Sequence, residues 1–135
     1  MSELIDTSLI PVGPMAERMG IKLVSASSEE VIGTMPVEGN TQPFGLLNGG
    51  ASMALVETLG SIGAVIHAGR ERIAVGIEIS GTHHKSARTG LVTGKAKAIS
   101  LGKTLATYEV KIYDEAETLI CTARITCLIR DRKAK

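Results

Sequence analysis

Between Glu38 and Arg70 the only formally charged side chain is that of Glu57. It lies in a run from 48 to about 68 that lacks proline, is rich in Ala, Leu and Met and exceeds the length of ordinary strands. That run is predicted to be a helix. Because it is apolar nearly all round, the helix is expected to be buried. An ionised carboxylate is costly to bury without hydrogen-bonding partners, and one held among apolar walls and poised by neighbours is what enzymes use as a nucleophile or general base. Ser61 follows one turn later on the same helical face, where its hydroxyl can bond the carboxylate or a bound water. Seen alone, Glu57 would equally suit an ion pair with a base elsewhere or an interface position reaching solvent.

The residues entering this helix read Gln42-Pro43-Phe44-Gly45-Leu46-Leu47-Asn48-Gly49-Gly50. They place a glycine pair where the unsatisfied backbone N–H groups and the positive end of the helix dipole collect. Fixed donors of that kind suit a developing oxyanion, since they need no reorganisation when charge appears. A plainer reading is that Asn48 is an N-cap and the glycines ease entry into a packed helix.

The rest of the chain supplies strands to hold this helix. A short helix at 14–19 starts with Pro14 and stops at Gly20. Strands follow at 21–27 and 30–37 around a turn at Ser28 and Glu29, then a loop at 39–45. After the helix the period becomes two. Ile73, Val75, Ile77 and Ile79 alternate with Ala74, Gly76, Glu78 and Ser80, and the run 91–100 sets Val92, Gly94, Ala96 and Ala98 opposite Thr93, Lys95 and Lys97. The run 104–112 puts Ala106, Tyr108, Val110 and Ile112 on one face. The run 118–130 turns Leu119, Cys121, Ala123, Ile125, Cys127 and Ile129 inward, with Thr122, Arg124, Thr126 and Arg130 outward. The prediction is an α+β domain in which an antiparallel sheet of about six strands wraps one long helix. A single helix cannot shield six strands, so the uncovered sheet face predicts pairing with a second copy.

Composition narrows the function. At 135 residues and 44% hydrophobic content the chain is expected to be one domain, 1–135, with a core at about 10–129 and a basic tail at 130–135. With Phe44, Tyr108 and Tyr113 as the only aromatic residues, the core must be aliphatic. A net charge of +1 from interspersed signs, with no basic stripe and no interleaved aromatics, argues against nucleic acid. The start of the chain has no basic apolar leader, so the cytoplasm is the expected compartment. The mid-segment Glu57 and the five glycines from Gly49 to Gly69 argue against a membrane span in the long helix. Cys121 and Cys127 on one strand would be roughly 20 Å apart, too far to pair. No His/Cys cluster has zinc spacing, and no metal or separate cofactor is expected. His67 is read as a partner of the helix C-terminal dipole, and Met15, Met19, Met35 and Met53 as core filling.

The stretch QPFGLLNGGASMALVETLGS (42–61), continued by VGIEISGTHHKSARTG (75–90), resembles the signature of hotdog-fold acyl-CoA thioesterases of the 4-hydroxybenzoyl-CoA and phenylacetate-pathway type, close to the 1,4-dihydroxy-2-naphthoyl-CoA branch. The order of elements agrees from about 10 to 129. The resemblance implies a hotdog fold and hydrolysis of an aryl- or medium-chain acyl-CoA to free acid and CoA, coenzyme A being part of the substrate. It makes Glu57 the nucleophile or general base, the Gly49 N–H the donor to the thioester carbonyl, Gln42 an orienting group and Ser61 a positioner of water. It places His83, Lys85, Ser86, Arg88 and Gly50 along the CoA channel. It implies a homo-oligomer, a dimer forming the site and a tetramer beyond it. Asn48 departs from the histidine usual before the glycine pair; an amide can donate to a carbonyl oxygen but cannot carry a proton as imidazole does. Two other readings keep the fold: a non-catalytic acyl-CoA-binding module, and a hotdog hydratase or dehydratase, whose usual His-containing motif is missing from 42–61.

Overall fold

Asn48 opens the long helix, α2 (Gly49–Ala68), from an extended conformation, its side-chain oxygen accepting from the Gly50 N–H at 2.7 Å. Gly69 closes it at φ 80°, a backbone conformation open to glycine, and returns its N–H to the Val65 carbonyl. In this computed structural model, which describes residues 3–133, α2 is preceded by a 3₁₀ turn (Thr7–Leu9), α1 (Pro14–Arg18), β1 (Lys22–Ala26) and β2 (Glu30–Pro36). It is followed by β3 (Arg72–His83), β4 (Leu91–Leu101), β5 (Leu105–Tyr113) and β6 (Leu119–Asp131). The six strands form one sheet in the order β1-β2-β4-β5-β6-β3, every pairing antiparallel. This is the helix-in-sheet arrangement expected of a hotdog fold. The last two residues of the basic tail expected at 130–135 lie outside the described residues.

The sheet curls around α2, which packs against β2 through β6. Leu55, Val56 and Leu59 are fully buried, in one core cluster with Val31, Met35, Val92, Ala96, Val110, Ile112 and Ile125. By length and apolar content alone the helix would pass as a bilayer span, but this face is covered by sheet. Glycines set the close approach. A Cβ at Gly63 would stand 2.7 Å from the Tyr108 ring, and one at Gly94 would stand 2.7 Å from a Leu59 methyl. Tyr108 lies wholly inside and donates its hydroxyl to the Ser28 carbonyl, tying β5 to the β1–β2 turn, and burial pushes its phenol well above the usual range.

Three expectations change. The helix is not buried all round, because one sheet can cover only part of a cylinder; Gly50, Glu57 and Val65 are exposed, and Ala54, Thr58, Ser61 and Ile62 half-buried. The simple alternation along β3 breaks at a bulge between Gly76 and Glu78, where Ile77 is the extra residue. Before it, Ala74 and Gly76 pair with Ile129 and Cys127; after it, Ile79, Gly81 and His83 pair with Ile125, Ala123 and Cys121. Cross-strand partners share a face, so Ile79 joins the helix side while Glu78, opposite Thr126, turns to the outer side. Met15 is exposed rather than core, whereas Met35 is fully buried. His67 stands in the last turn of α2, as expected of a dipole partner, and its ring also bonds the Gly102 carbonyl at 2.7 Å, tying the end of α2 to the β4–β5 turn.

The tightest helix-to-sheet approach gives a test. A Cβ at Gly60 would overlap Cγ2 of Ile125, a β-branched side chain with few rotamers to escape into. Gly60→Ala would gain about 1 kcal/mol of helix propensity and incur about 1–3 kcal/mol of overpacking. The variant is expected to melt below wild type and to unfold at lower urea; an unchanged or raised midpoint would mean that the helix can shift away from β6.

Candidate active site

Glu57 sits on the uncovered stripe of α2 with Ala54, Thr58, Ser61 and Val65, at the three- and four-residue spacing that aligns side chains along a helix. Ser61 donates its hydroxyl to Glu57 Oε2 at 2.8 Å, as the spacing predicted. Beside the carboxylate opens a cleft of about 540 Å³. One wall is the N-terminal segment 9–12; the other is Ile62, Val65 and Ile66, and its polar atoms come from Glu57, Thr58 and Ser61. Behind Glu57 lie two residues that the sequence reading did not assign to the site. Gly76 is so close that a Cβ there would stand 2.7 Å from Glu57 Oε2. Cys127, its pairing partner on β6, is fully buried. Burial pushes the Cys127 thiol up, the nearby Ser61 hydroxyl pulls it down and the Glu57 carboxylate adds a further upward push.

A second cavity, of about 240 Å³, collects Gln42, Gly49, His83, Lys85 and Ser86. Local hydrogen bonds build it. Leu47 N–H reaches the Ala87 carbonyl at 2.8 Å, His84 N–H reaches the Ile120 carbonyl at 2.7 Å, and Gln42 N–H reaches the Leu46 carbonyl at 2.8 Å. The carboxamide oxygen of Gln42 accepts from the N–H groups of Phe44 and Leu46, which leaves its NH₂ end for a ligand. At the helix start, Gly50 N–H is taken by Asn48 Oδ1, and the Ala51 and Ser52 N–H groups by the Asn48 carbonyl. That leaves Gly49 N–H without an acceptor among the described residues. The His83 ring packs on Gly49, its Nε2 2.8 Å from where a Cβ would be, while His84 turns away to the Thr122 hydroxyl at 2.9 Å.

Not every predicted residue joins these two places. Asn48 and Gly50 border a shallow depression with Met15, Met19 and Asn40. Arg88 lies over another, beside Asp114 and Glu115, and is linked to the second cavity only through Ser86 and Ala87. Glu57 and Gly49 are eight residues apart on one helix, about 12 Å of rise at 1.5 Å per residue. One chain therefore carries the carboxylate and the helix-start donor in separate cavities. The signal for Gly76 was in the sequence, since an isolated glycine inside a strand pattern marks a bulge or a close approach.

The two cysteines of the chain are free and fully buried, and burial pushes the Cys121 thiol up as well. Both are expected to ignore an aromatic disulfide reagent at pH 8 in the folded protein and to react when urea unfolds it. Prompt reaction of either thiol under native conditions would contradict the packing of β6.

The Thioesterase superfamily profile matches residues 44–121. The proofreading thioesterase EntH of Cronobacter sakazakii is 41% identical over 119 residues, covering 87% of each chain. The 1,4-dihydroxy-2-naphthoyl-CoA hydrolase of Escherichia coli is 38% identical over 118 residues, again with 87% of each chain covered. The crystal structure of a thioesterase from Haemophilus influenzae superposes with a TM-score of 0.84 at 32% identity, covering 88% of this chain and 84% of its own. A match across more than half of the sequence, agreeing with the helix-in-sheet fold built here from its own residues, places this chain in the thioesterase superfamily as a hotdog-fold thioester hydrolase.

Proposed function

We propose that the protein hydrolyses acyl-CoA thioesters, with Glu57 as the catalytic carboxylate. The observation that carries this reading is the placement of a Ser61-bonded carboxylate at the mouth of an aliphatic cleft, in a chain of thioesterase descent. The cleft walls are Leu, Ile, Pro and Val, which suit an uncharged aryl or medium-chain acyl group. The relative named for 1,4-dihydroxy-2-naphthoyl-CoA supports a CoA thioester as the substrate class.

Two routes use the same groups. In one, Glu57 attacks the thioester carbon, the C–S bond breaks, CoA leaves as thiolate, and water hydrolyses the mixed anhydride to free acid and the restored carboxylate. In the other, Glu57 takes a proton from water as the oxygen attacks, and the tetrahedral intermediate collapses to free acid and thiolate. The Gly49 N–H stabilises the oxyanion in both, Gln42 orients the acyl group or water, and Ser61 holds Glu57. His83, Lys85 and Ser86 line the cavity that receives pantetheine, and Arg88 lies farther out for phosphate.

The site is assembled from two copies. A reacting carbon must lie about 3 Å from both its attacker and its oxyanion donor, whereas Glu57 and Gly49 of one protomer are about 12 Å apart along the helix. The free edge of β3 is twelve residues long, with Val75, Ile77 and Ile79 exposed at 42%, 55% and 37%. An unpaired apolar edge of that length suits a second copy of the same chain. A tetramer remains an expectation from the resemblance.

Release of CoA, followed with a thiol reagent across aryl- and fatty-acyl-CoAs, tests the chemistry. Glu57→Ala is expected to lose at least about two orders of magnitude in kcat, the low end of what a positioned base supplies, while still binding substrate. Equal turnover by both proteins would refute the assignment, and binding without turnover by wild type would leave an acyl-CoA-binding module. The shared site has its own test. Glu57→Ala and Gln42→Ala chains co-expressed in one cell should recover about a quarter of wild-type sites, because half the dimers are mixed and each holds one intact site. No recovery above the separate variants would place both residues in one protomer's site.

A further inference from the structure

We propose that Gly76 is a positioning residue for Glu57, acting through the side chain that it lacks. The inference rests on Glu57 being the catalytic carboxylate. Gly76 lies on the helix side of β3, immediately before the bulge, and the carboxylate rests on its backbone. A Cβ there would meet Oε2 at 2.7 Å and Cδ and Oε1 at 3.5 Å each. Ser61 Oγ holds the same Oε2 from the other side at 2.8 Å. One oxygen is thus fixed between a hydroxyl donor and a wall of bare backbone. Oε1 is left as the oxygen that meets the acyl carbon or the water.

The bulge completes the arrangement. In an unbroken strand residue 78 would follow Gly76 on the helix side and aim a second carboxylate toward the site. With Ile77 inserted, Glu78 pairs with Thr126 on the outer side of the sheet. Two carboxylates sharing a site disfavour the charged form of one another, so turning Glu78 outward leaves Glu57 as the single acidic group there. Glycine at 76 and the extra residue at 77 serve one end: a lone, seated carboxylate with a defined reactive oxygen.

Gly76→Ala is expected to lower kcat by roughly ten- to a hundredfold, as displacements of about 1 Å do, with KM changed less than about threefold. Gly81→Ala is the matched control on the same strand and face. Its Cβ would meet the flexible end of Met53 at 2.7 Å and not Glu57, and it is expected to keep wild-type kcat. The diagnostic is non-additivity. Glu57→Asp withdraws the carboxylate by one methylene, so adding Gly76→Ala to it should cost little further kcat. Wild-type kcat in Gly76→Ala, or the same fold loss whether Gly76→Ala is introduced into wild type or into Glu57→Asp, would overturn the proposal. Stability gives an independent reading if Gly76→Ala folds poorly: Glu57→Ala added to it should restore the melting temperature, and failure to restore it would also overturn the proposal. Full activity in Glu57→Ala would instead remove the proposed function itself, so the two failures are distinguishable.

Discussion

One helix laid in one sheet has a single covered face, and most of this molecule follows from that constraint. Leu55, Val56 and Leu59 take the covered face and are wholly buried. Side chains at the complementary three- and four-residue spacing, Glu57 and Ser61 among them, are left over the open one. The packing that fixes the helix also fixes the carboxylate. With Gly60 against Ile125 and Gly63 against Tyr108, the helix has little freedom to roll or slide, and so the stripe bearing Glu57 keeps its bearing relative to β3.

The same geometry separates the chemistry into halves. The helix start offers the Gly49 N–H, without an acceptor among the described residues, beside Gln42 and His83, whereas the exposed carboxylate lies two turns on, at the mouth of an aliphatic cleft. In the proposed reaction, electrostatic stabilisation and attack must converge on one carbon, and the proposed pairing of two copies, helix start facing carboxylate, is how they would meet. Helix and sheet close the core within one chain, while the uncovered stripe, the free β3 edge and the divided site are the features on which the proposed pairing of two copies rests.

Much of this was legible in the residues. The period of two gave every strand to within a few positions, and the isolated Glu57, its Ser61 neighbour and the glycine pair at the helix start stood out by type and spacing. What escaped was three-dimensional in origin. Average apolarity over 48–68 concealed the open stripe, because Ala, Gly, Thr and Ser read alike whether they face sheet or solvent. The bulge at Ile77 escaped because a run such as Val75, Ile77, Ile79 carries its alternation straight through an inserted residue, and only pairing with β6 shows that Ile79 has changed sides. The separation of Asn48 and Gly50 from the two cavities escaped because neighbours in sequence at a helix start point in different directions; that of Arg88 escaped because the segment between β3 and β4 carries it over to Asp114 and Glu115.

Asn48 shows how a change of residue can alter chemistry through the backbone. Its carboxamide oxygen takes the Gly50 N–H, and its carbonyl takes those of Ala51 and Ser52. The first turn is thereby satisfied except at Gly49, the donor that the proposed reaction uses. A side chain in this role gives up proton transfer and gains a fixed donor. For thioester cleavage that exchange costs little. An alkyl thiol ionises at about pH 8.5, so a thiolate is a far better leaving group near neutrality than an alkoxide or an amide anion and can depart without a proton from the protein. Attack on the carbonyl and support of its oxyanion are then the demanding steps, and the groups held most firmly here, Glu57 by Ser61 and the Gly49 N–H by the helix cap, are the ones assigned to them.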